Sequence, residues 1–360
     1  MSFMAAKEFV TRMGDGRRVF MTKQQIMDDI QAGMADGADA ATAAELSDDE
    51  MERIYDVVSD TSKIVGVEQG EEVIMTKDGG EIKFSQDSGG SGIGITSIPR
   101  SAAILMYERA FAFDTMELGW MDYSLKPVKP LISEEMITYE QISQETTFPL
   151  LYGAMPNMGL YYAPDGPYGN PADLMREFKI EEAMDQAEKA ADLLTRDIGY
   201  VTEHLDQVGL EGFDFDTTAS AGDAEFVAAL RGAENYRKLN PNSYINIGMS
   251  AENVLGIHGS IEYKGKAVAG MYPAEQAKMV EACGANMFGA VVNTNTSRSF
   301  AWNVARSAAI IKKCVNETSI PVHANLGMGV GGIPMCELVP TDTVGRAGKI
   351  LIEIAHIDGI

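Results

Sequence analysis

From about residue 101 onward, apolar strand-like segments alternate with amphipathic helices, and this alternation restricts the fold more than any other feature of the chain. The segments with the length and apolar content of strands are 116–121, 148–154, 212–217, 244–249, 286–292, 321–326 and 357–360. Helical patterns follow at 171–208, 221–239, 274–283, 297–316 and 341–355. Strands that alternate with helices lie parallel in one sheet. The pattern therefore predicts an α/β protein.

Two α/β architectures compete, an open doubly wound sheet and a (β/α)8 TIM barrel. One helix for each strand favours the barrel. The last segment, Ile357 to Ile360, has the character of a buried strand at its beginning. The predicted barrel is therefore C-terminally truncated in strand seven, and by the usual size of the fold it lacks about 80 to 100 residues.

The first 100 residues have a different pattern, with short strands around Gly-rich turns and two helices. Hairpin patterns occupy 9–21 and 72–84, and helical patterns occupy 23–30 and 48–58. We expect an N-terminal α+β region at 1–100 and the incomplete barrel domain at 101–360. The Gly- and Ser-rich stretch at 88–94 marks a loop or the border between them.

The formal net charge of −24 argues against binding to nucleic acid or to an anionic membrane surface. Nucleic acid and anionic membrane surfaces both require an excess of Lys and Arg. An acidic protein instead concentrates cations, although solubility or adaptation to salt explains such acidity equally well. The chain has three cysteines without a CxxC pair, no signal-peptide pattern and no window of eighteen apolar residues. We expect a cytoplasmic protein without a membrane span.

Polar side chains collect where the predicted strands end, which is where a barrel has its active site. The candidate proton acceptors are Glu117, Asp214 and Asp216. Asp214 and Asp216 are two residues apart on one strand, so both side chains point to the same face of the sheet. We expect that face to be the inward one, because on the outward face the two carboxylates would be buried against helices at a cost in free energy. Two carboxylates in one pocket push their pKa values apart, which suits proton transfer. The candidate substrate-binding residues are Asn246, Asn293, Asn295, His323 and Asn325. Each of these residues would otherwise be a strand-end cap or a solvated loop residue.

Two other kinds of site are less favoured. A metal ion needs about three ligands, and neither an HxH nor an HExxH spacing occurs, so no metal is expected. Residues 327–332 match GxGxxG literally, but Pro334 follows and the next helix begins only near residue 341. A dinucleotide site needs the helix inside the motif. A mobile loop over the barrel mouth is the better interpretation.

Several long strings resemble the dimethylamine:corrinoid methyltransferases, a pyrrolysine-containing methylamine methyltransferase family. They are Phe-Ala-Phe-Asp-Thr-Met-Glu-Leu-Gly at 111–119, Tyr-Gly-Ala-Met-Pro-Asn-Met-Gly-Leu-Tyr-Tyr at 152–162, Asn-Thr-Asn-Thr at 293–296 and Gly-Met-Gly-Val-Gly-Gly-Ile-Pro-Met at 327–335. Arg-Met-Gly-Asp-Gly at 12–16 and Leu-Lys-Pro-Val-Lys-Pro at 125–130 fit as well. The resemblance spans essentially the whole chain.

The resemblance implies a TIM barrel that moves a methyl group from dimethylamine to a cognate corrinoid protein and releases monomethylamine, a step of methanogenesis from methylamines. The corrinoid would be carried by that partner, with no cofactor bound directly, and a homo-oligomer is expected. In the family, pyrrolysine follows Asp-Gly-Ile, here Asp358 to Ile360. We therefore expect an amber codon after codon 360, with the catalytic residue just beyond Ile360.

Two alternatives stay open at this point. One is an inactive truncated product, because an open barrel leaves strand edges unpaired. The other is a zinc-type corrinoid methyltransferase on the same barrel. That enzyme would need Cys or His ligands at strand ends, whereas Cys283, Cys314 and Cys336 fall on predicted helices or loops.

Overall fold

The computed structural model describes residues 7–43, 45–60, 81–85, 95–99, 151–154, 158–209, 211–215, 219, 222–248, 252–256, 260–336 and 339–360, with the backbone alone at 81–85, 95–99, 151–154 and 341. The strands are β1 (Glu8–Arg12), β2 (Arg18–Thr22), β3 (Glu81–Ser85), β4 (Ile95–Pro99), β5 (Leu151–Ala154), β6 (Gly212–Phe215), β7 (Tyr244–Ile247), β8 (Glu262–Tyr263), β9 (Lys266–Ala267), β10 (Met287–Ala290) and β11 (Val322–Ala324). The helices are α1 (Lys23–Ala41), α2 (Asp48–Ser59), α3 (Pro171–Arg176), α4 (Ile180–Asp206), α5 (Asp223–Leu239), α6 (Pro273–Cys283), α7 (Phe300–Glu317) and α8 (Thr341–Ile350), which continues as a π-helical turn over Leu351–Ala355.

A parallel sheet of five strands, flanked by helices along the chain, confirms the α/β class. Its strands follow one another in the order β5, β6, β7, β10, β11, and every neighbouring pair is parallel. The end of the chain lies along β11, where the backbone N–H of Asp358 donates to Val322 and that of Ala324 donates to Gly359. Gly359 thereby pairs in parallel with His323.

The two faces of this sheet differ in polarity. On one face the side chains of β6, β7, β10 and β11 are all apolar and almost completely buried, namely Phe213, Phe215, Ile245, Ile247, Phe288, Ala290, Val322 and Ala324. Helix α5 covers part of it, since the rings of Tyr236 and Phe213 lie 5.9 Å apart. Side chains alternate along a strand, so the polar residues between these apolar ones occupy the other face. The candidate site lies on that polar face.

The N-terminal helices pack against α7 in the same compact unit as the sheet. Residues Met1–Gly66 and Leu151–Ile360 form this unit, and Val67–Leu150 form a second one. Gly33 of α1 lies directly on the backbone of α7, where an added Cβ would be 2.1 Å from the carbonyl oxygen of Trp302. The division predicted at residue 100 stays a prediction.

Ion pairs attach the N-terminal helices to α7 and to the π-helical turn. Arg53 of α2 donates to Glu353 at 2.8 Å, and Lys312 of α7 binds Glu50 at 2.5 Å. The side chains of Lys312 and Glu50 are only 18% and 22% exposed. Burial raises the pKa of Glu50, but hydrogen bonds from Lys312 and Ser47 outweigh it and leave that pKa lowered.

Replacing Lys312 with methionine is expected to destabilise the protein by about 1–2 kcal/mol at pH 7, because a largely buried carboxylate loses its cation. Glu50 has a lowered pKa in the folded state, so its contribution is complete above the unfolded pKa and disappears as the pH falls through the folded one. The stability difference between wild type and K312M should therefore close below about pH 4. Thermal unfolding from pH 3 to 7 measures it.

Lys278→Met is the matched control, since its pair with Glu317 is more exposed at 44% and 32%. Exposed pairs contribute about 0–1 kcal/mol, so this variant should change little at any pH. Equal effects of both variants, or a K312M deficit that persists at pH 3, would contradict the assignment.

Other sequence predictions meet mixed outcomes. The helix predicted at 171–208 is divided into α3 and α4, because Phe178 takes the left-handed conformation (φ 60°) and Lys179 N–H bonds back to Leu174. Strand β3 pairs antiparallel with β4, while residues 72–76 lie outside the described ranges.

Cys283, Cys314 and Cys336 are free thiols, and burial raises the pKa of Cys283 to about 12. Within the described ranges, no helix combines the length and the apolarity that crossing a membrane requires.

Candidate functional site

Three polar side chains from neighbouring strands meet on the polar face of the sheet. Asp214 of β6 is paired in register with Asn246 of β7, which brings the two side chains together. Asn246 Nδ2 donates to Asp214 Oδ1 at 2.7 Å and lies 3.4 Å from His323 Nε2. Because Nδ2 can only donate, the second contact is a hydrogen bond only when His323 Nε2 carries no proton. We call Asp214, Asn246 and His323 the central cluster.

Gly289 makes room for the imidazole of His323. It is paired with His323 in register, and an added Cβ would lie 2.5 Å from both Cε1 and Nε2 of that ring. Any larger residue at this position would push the ring away from Asn246. Sequence reasoning missed Gly289, although a glycine inside a strand is a known sign of close approach.

Two buried amide atoms beside the central cluster have no hydrogen-bond partner within the described part of the chain. They are the acceptor Oδ1 of Asn246 and the donor Nδ2 of Asn325. Asn246 is 6% exposed, and the backbone of Asn325 is held to β10 by its N–H bond to Ala290. Buried polar groups are nearly always paired, so two unpaired ones at a strand end indicate a place for a ligand.

Asn293 and Asn295, both predicted to bind substrate, lie apart from the central cluster. They border a separate pocket of about 370 Å³ whose other lining residues are Asp36, Glu252, Asn253, Thr294, Arg298, Trp302 and Arg306. Asn295 Oδ1 accepts hydrogen bonds from the backbone and hydroxyl of Ser297, at 3.0 and 2.7 Å. The side chain of Asn295 therefore shapes the turn before α7.

Glu252 connects the loop after β7 to this pocket and was missed by sequence reasoning. It is 7% exposed, and its two oxygens accept from Arg306 Nη2 at 2.5 Å and from the backbone N–H of Asn293 at 2.6 Å. Arg306 also binds Asp36 of α1 at 2.7 Å. An acidic residue among Ser, Ala and Asn gave no pattern from which this role could be inferred.

The Gly-rich segment at 327–332 lies at the carboxyl edge of the sheet, as a loop over that edge requires. Gly331 N–H donates to Val292, and Thr294 N–H donates to Gly329, both at 2.8 Å. The β1–β2 turn reaches the same edge, since Met335 N–H donates to Gly14 at 2.7 Å. Gly329, Gly331 and Gly332 have positive φ, a conformation that favours glycine. The backbone of the loop therefore accounts for these glycines, and no dinucleotide-binding role is needed to explain them. The mobility of this loop stays a prediction.

A buried acidic pair near the carboxyl end of β6 was also missed by sequence reasoning. Asp223 and Glu225 in the first turn of α5 are 4% and 0% exposed. Burial raises the pKa of Asp223, and burial followed by these two carboxylates raises the pKa of Tyr162 to about 12. Two other predicted proton acceptors, Glu117 and Asp216, lie outside the described residues. The predicted pairing of Asp214 with Asp216 is therefore untested.

Comparison with known proteins agrees with the predicted family. The family model described as dimethylamine methyltransferase (Dimeth_PyL) matches residues 7–360. No solved structure matches the chain significantly. The match covers essentially the whole sequence, including the central cluster and both loops at the carboxyl edge. The chain belongs to the dimethylamine methyltransferase family and is a methyltransferase.

Proposed function

We propose that this enzyme transfers one methyl group from dimethylamine to the corrinoid of a separate protein and releases monomethylamine. One observation carries the proposal: on the polar face of a parallel sheet, Asn246 donates a hydrogen bond to Asp214 and lies 3.4 Å from His323 Nε2. A carboxylate among buried amides suits a small cation. The net charge of −24 favours cations in the surrounding solution.

We propose a (β/α)8 barrel as the complete architecture around this group. The sheet strands are parallel and adjacent in chain order, without the reversal that a doubly wound sheet contains. On β6, β7, β10 and β11 one face carries only buried apolar side chains and the other carries Asp214, Asn246 and His323, whereas a doubly wound sheet needs two apolar faces. A barrel interior lined by polar groups near one end accounts for both features.

Asp214 is our main candidate for the group that holds the ammonium and accepts its proton. A free secondary amine is almost wholly protonated near neutral pH and must lose a proton before its nitrogen can attack an electrophile. Asn246 holds the Asp214 carboxylate in place through the bond at 2.7 Å. Glu117 and Asp216 remain further candidates for the proton acceptor, and His323 and Asn325 for substrate contacts.

The resemblance implies pyrrolysine directly after Asp358-Gly359-Ile360, where it would supply an electrophilic imine carbon. The residues present fit such a group. Gly359 pairs in parallel with His323, so the last residues of this chain run along β11 toward Asn325. Nδ2 of Asn325, which has no hydrogen-bond partner among the described residues, is a donor available to a polar group there.

The loops at the carboxyl edge fit a corrinoid. Leu255, Met328 and Met335 are 67%, 55% and 48% exposed there, and Asn293 offers an exposed amide near them. Exposed methionines adapt to bulky apolar surfaces, and amides match the amide groups around a corrin ring. When it is bound, the partner's corrinoid supplies the cobalt that receives the methyl group.

A methyl-transfer assay tests the proposal. The purified enzyme, its reduced corrinoid protein and dimethylamine should yield monomethylamine and methylated corrinoid in equal amounts, unaffected by a zinc chelator. Methylation from another donor but not from dimethylamine would overturn the proposal. Loss of activity with the chelator would favour the zinc-type alternative.

A further inference from the structure

We propose that Asn246 is the residue that selects dimethylammonium over more highly methylated amines, because its Oδ1 accepts the second N–H of the bound cation. This inference rests on the proposed function, since it assumes that Asp214 accepts the first N–H. The proposal gives Oδ1 of Asn246 a role in substrate specificity, whereas Nδ2 of the same side chain holds the Asp214 carboxylate in place.

The orientation of the Asn246 amide is determined by its neighbour. Nδ2 lies 2.7 Å from the acidic oxygen of Asp214, and an amide oxygen in that place would face a carboxylate. Oδ1 must therefore point away from that contact. It has no hydrogen-bond partner within the described part of the chain, and the residue is 6% exposed.

A single nitrogen can reach both acceptors. Asp214 and Asn246 are paired in register on adjacent strands, so their side chains leave the sheet about 5 Å apart. A carboxylate has about four acceptor positions, so Asp214 keeps acceptor capacity after its bond from Asn246. Dimethylammonium carries two N–H groups, which matches one carboxylate and one amide oxygen.

The surrounding face accommodates the methyl groups. Met287 is paired in register with Asn246 and lies on the same face, where its sulfur lies 3.6 Å from the hydroxyl of Tyr244. A thioether offers apolar contact to methyl groups but no strong acceptor. The third N–H of monomethylammonium would meet this apolar side.

Trimethylammonium has a single N–H and cannot satisfy both acceptors. Its additional methyl group would face Asn246 Oδ1, which would stay buried without a partner. An unsatisfied buried acceptor costs enough to weaken binding by about tenfold. The site can thus distinguish methylated ammonium ions by the number of N–H groups that they carry.

The experiment compares dissociation constants of dimethylammonium and trimethylammonium for the purified complete enzyme, by calorimetry or ligand-observed NMR. The wild type should bind dimethylammonium about tenfold more tightly. In Asn246→Leu, which has a similar volume and no acceptor, the ratio of the two constants should fall to about one. A general structural defect would weaken both ligands and leave their ratio unchanged.

Other outcomes separate the two proposals. Asp214→Asn should weaken both ligands by a similar factor, and unchanged affinity would reject Asp214 as the cation site. If Asp214→Asn loses binding but the wild type binds both ligands equally, only the role of Asn246 is overturned. That wild-type comparison decides the matter even if Asn246→Leu does not fold. A ratio that persists in a folded Asn246→Leu variant likewise overturns it.

Discussion

Replacing Gly33 with alanine should destabilise the protein by about 3 kcal/mol or more, because the new methyl group meets backbone atoms. An added Cβ would lie 2.1 Å from the Trp302 carbonyl oxygen, 2.8 Å from its carbon and 3.0 Å from its Cα. Backbone atoms cannot rotate away, so α1 and α7 would have to separate. Thermal and denaturant unfolding of G33A measure the loss.

Gly199→Ala is the matched control for this prediction. Gly199 also lies inside a long helix, α4, but an added Cβ there would meet no atom within 4 Å from other segments of the chain that the structure describes. Alanine is the better helix former, so G199A should stabilise the protein by about 0.5–1 kcal/mol. If the two variants change stability in the same direction, close helix contact is not the reason for Gly33.

Replacing Asp214 with asparagine should lower kcat/KM for dimethylamine by about 100-fold or more, if the carboxylate takes up the proton of the substrate. The asparagine has the same shape, and Nδ2 of Asn246 can still donate to its oxygen. Rates of corrinoid methylation by the complete enzyme measure the loss. The rate of D214N should recover as the pH rises, because more of the amine is then already unprotonated.

Two variants serve as controls for D214N. One removes a carboxylate at another position, and the other keeps a carboxylate at position 214. Asp165→Asn removes an exposed carboxylate and should keep wild-type activity. Asp214→Glu keeps a proton acceptor and should retain more activity than D214N. A fully active D214N would move the proton acceptor to Glu117 or Asp216.

The alternation of apolar and polar residues in the sequence was sufficient to locate strands β6, β7, β10 and β11 and to choose their faces. Residues 212–217 place Asp214 between Phe213 and Phe215, and such alternation can bury only the apolar side chains against helices. The order of the segments also determined that the strands are parallel. These properties depend on neighbouring residues, so they can be read along the chain.

The tertiary structure decided which polar residues meet. Asn246 lies within a predicted strand and Asn293 and Asn295 follow the next one, yet of these three only Asn246 is hydrogen-bonded to Asp214 within the described part of the chain. The side chain of Asn295 instead bonds to Ser297, and the backbone of Asn293 is held by Glu252. The contact of Asn295 with Ser297 is local, but the partner of Asn293 lies 41 residues away in another loop, so packing between distant segments determines it.

The positions of β6, β7, β10 and β11, the polar face and the family were thus accessible from the sequence alone. The register that joins Asp214 to Asn246, the space that Gly289 leaves for His323 and the contact of Gly33 with α7 were decided only in three dimensions. The physical reason is range. Secondary structure follows from interactions within a few residues, whereas register and close approach depend on atoms that lie far apart in the chain.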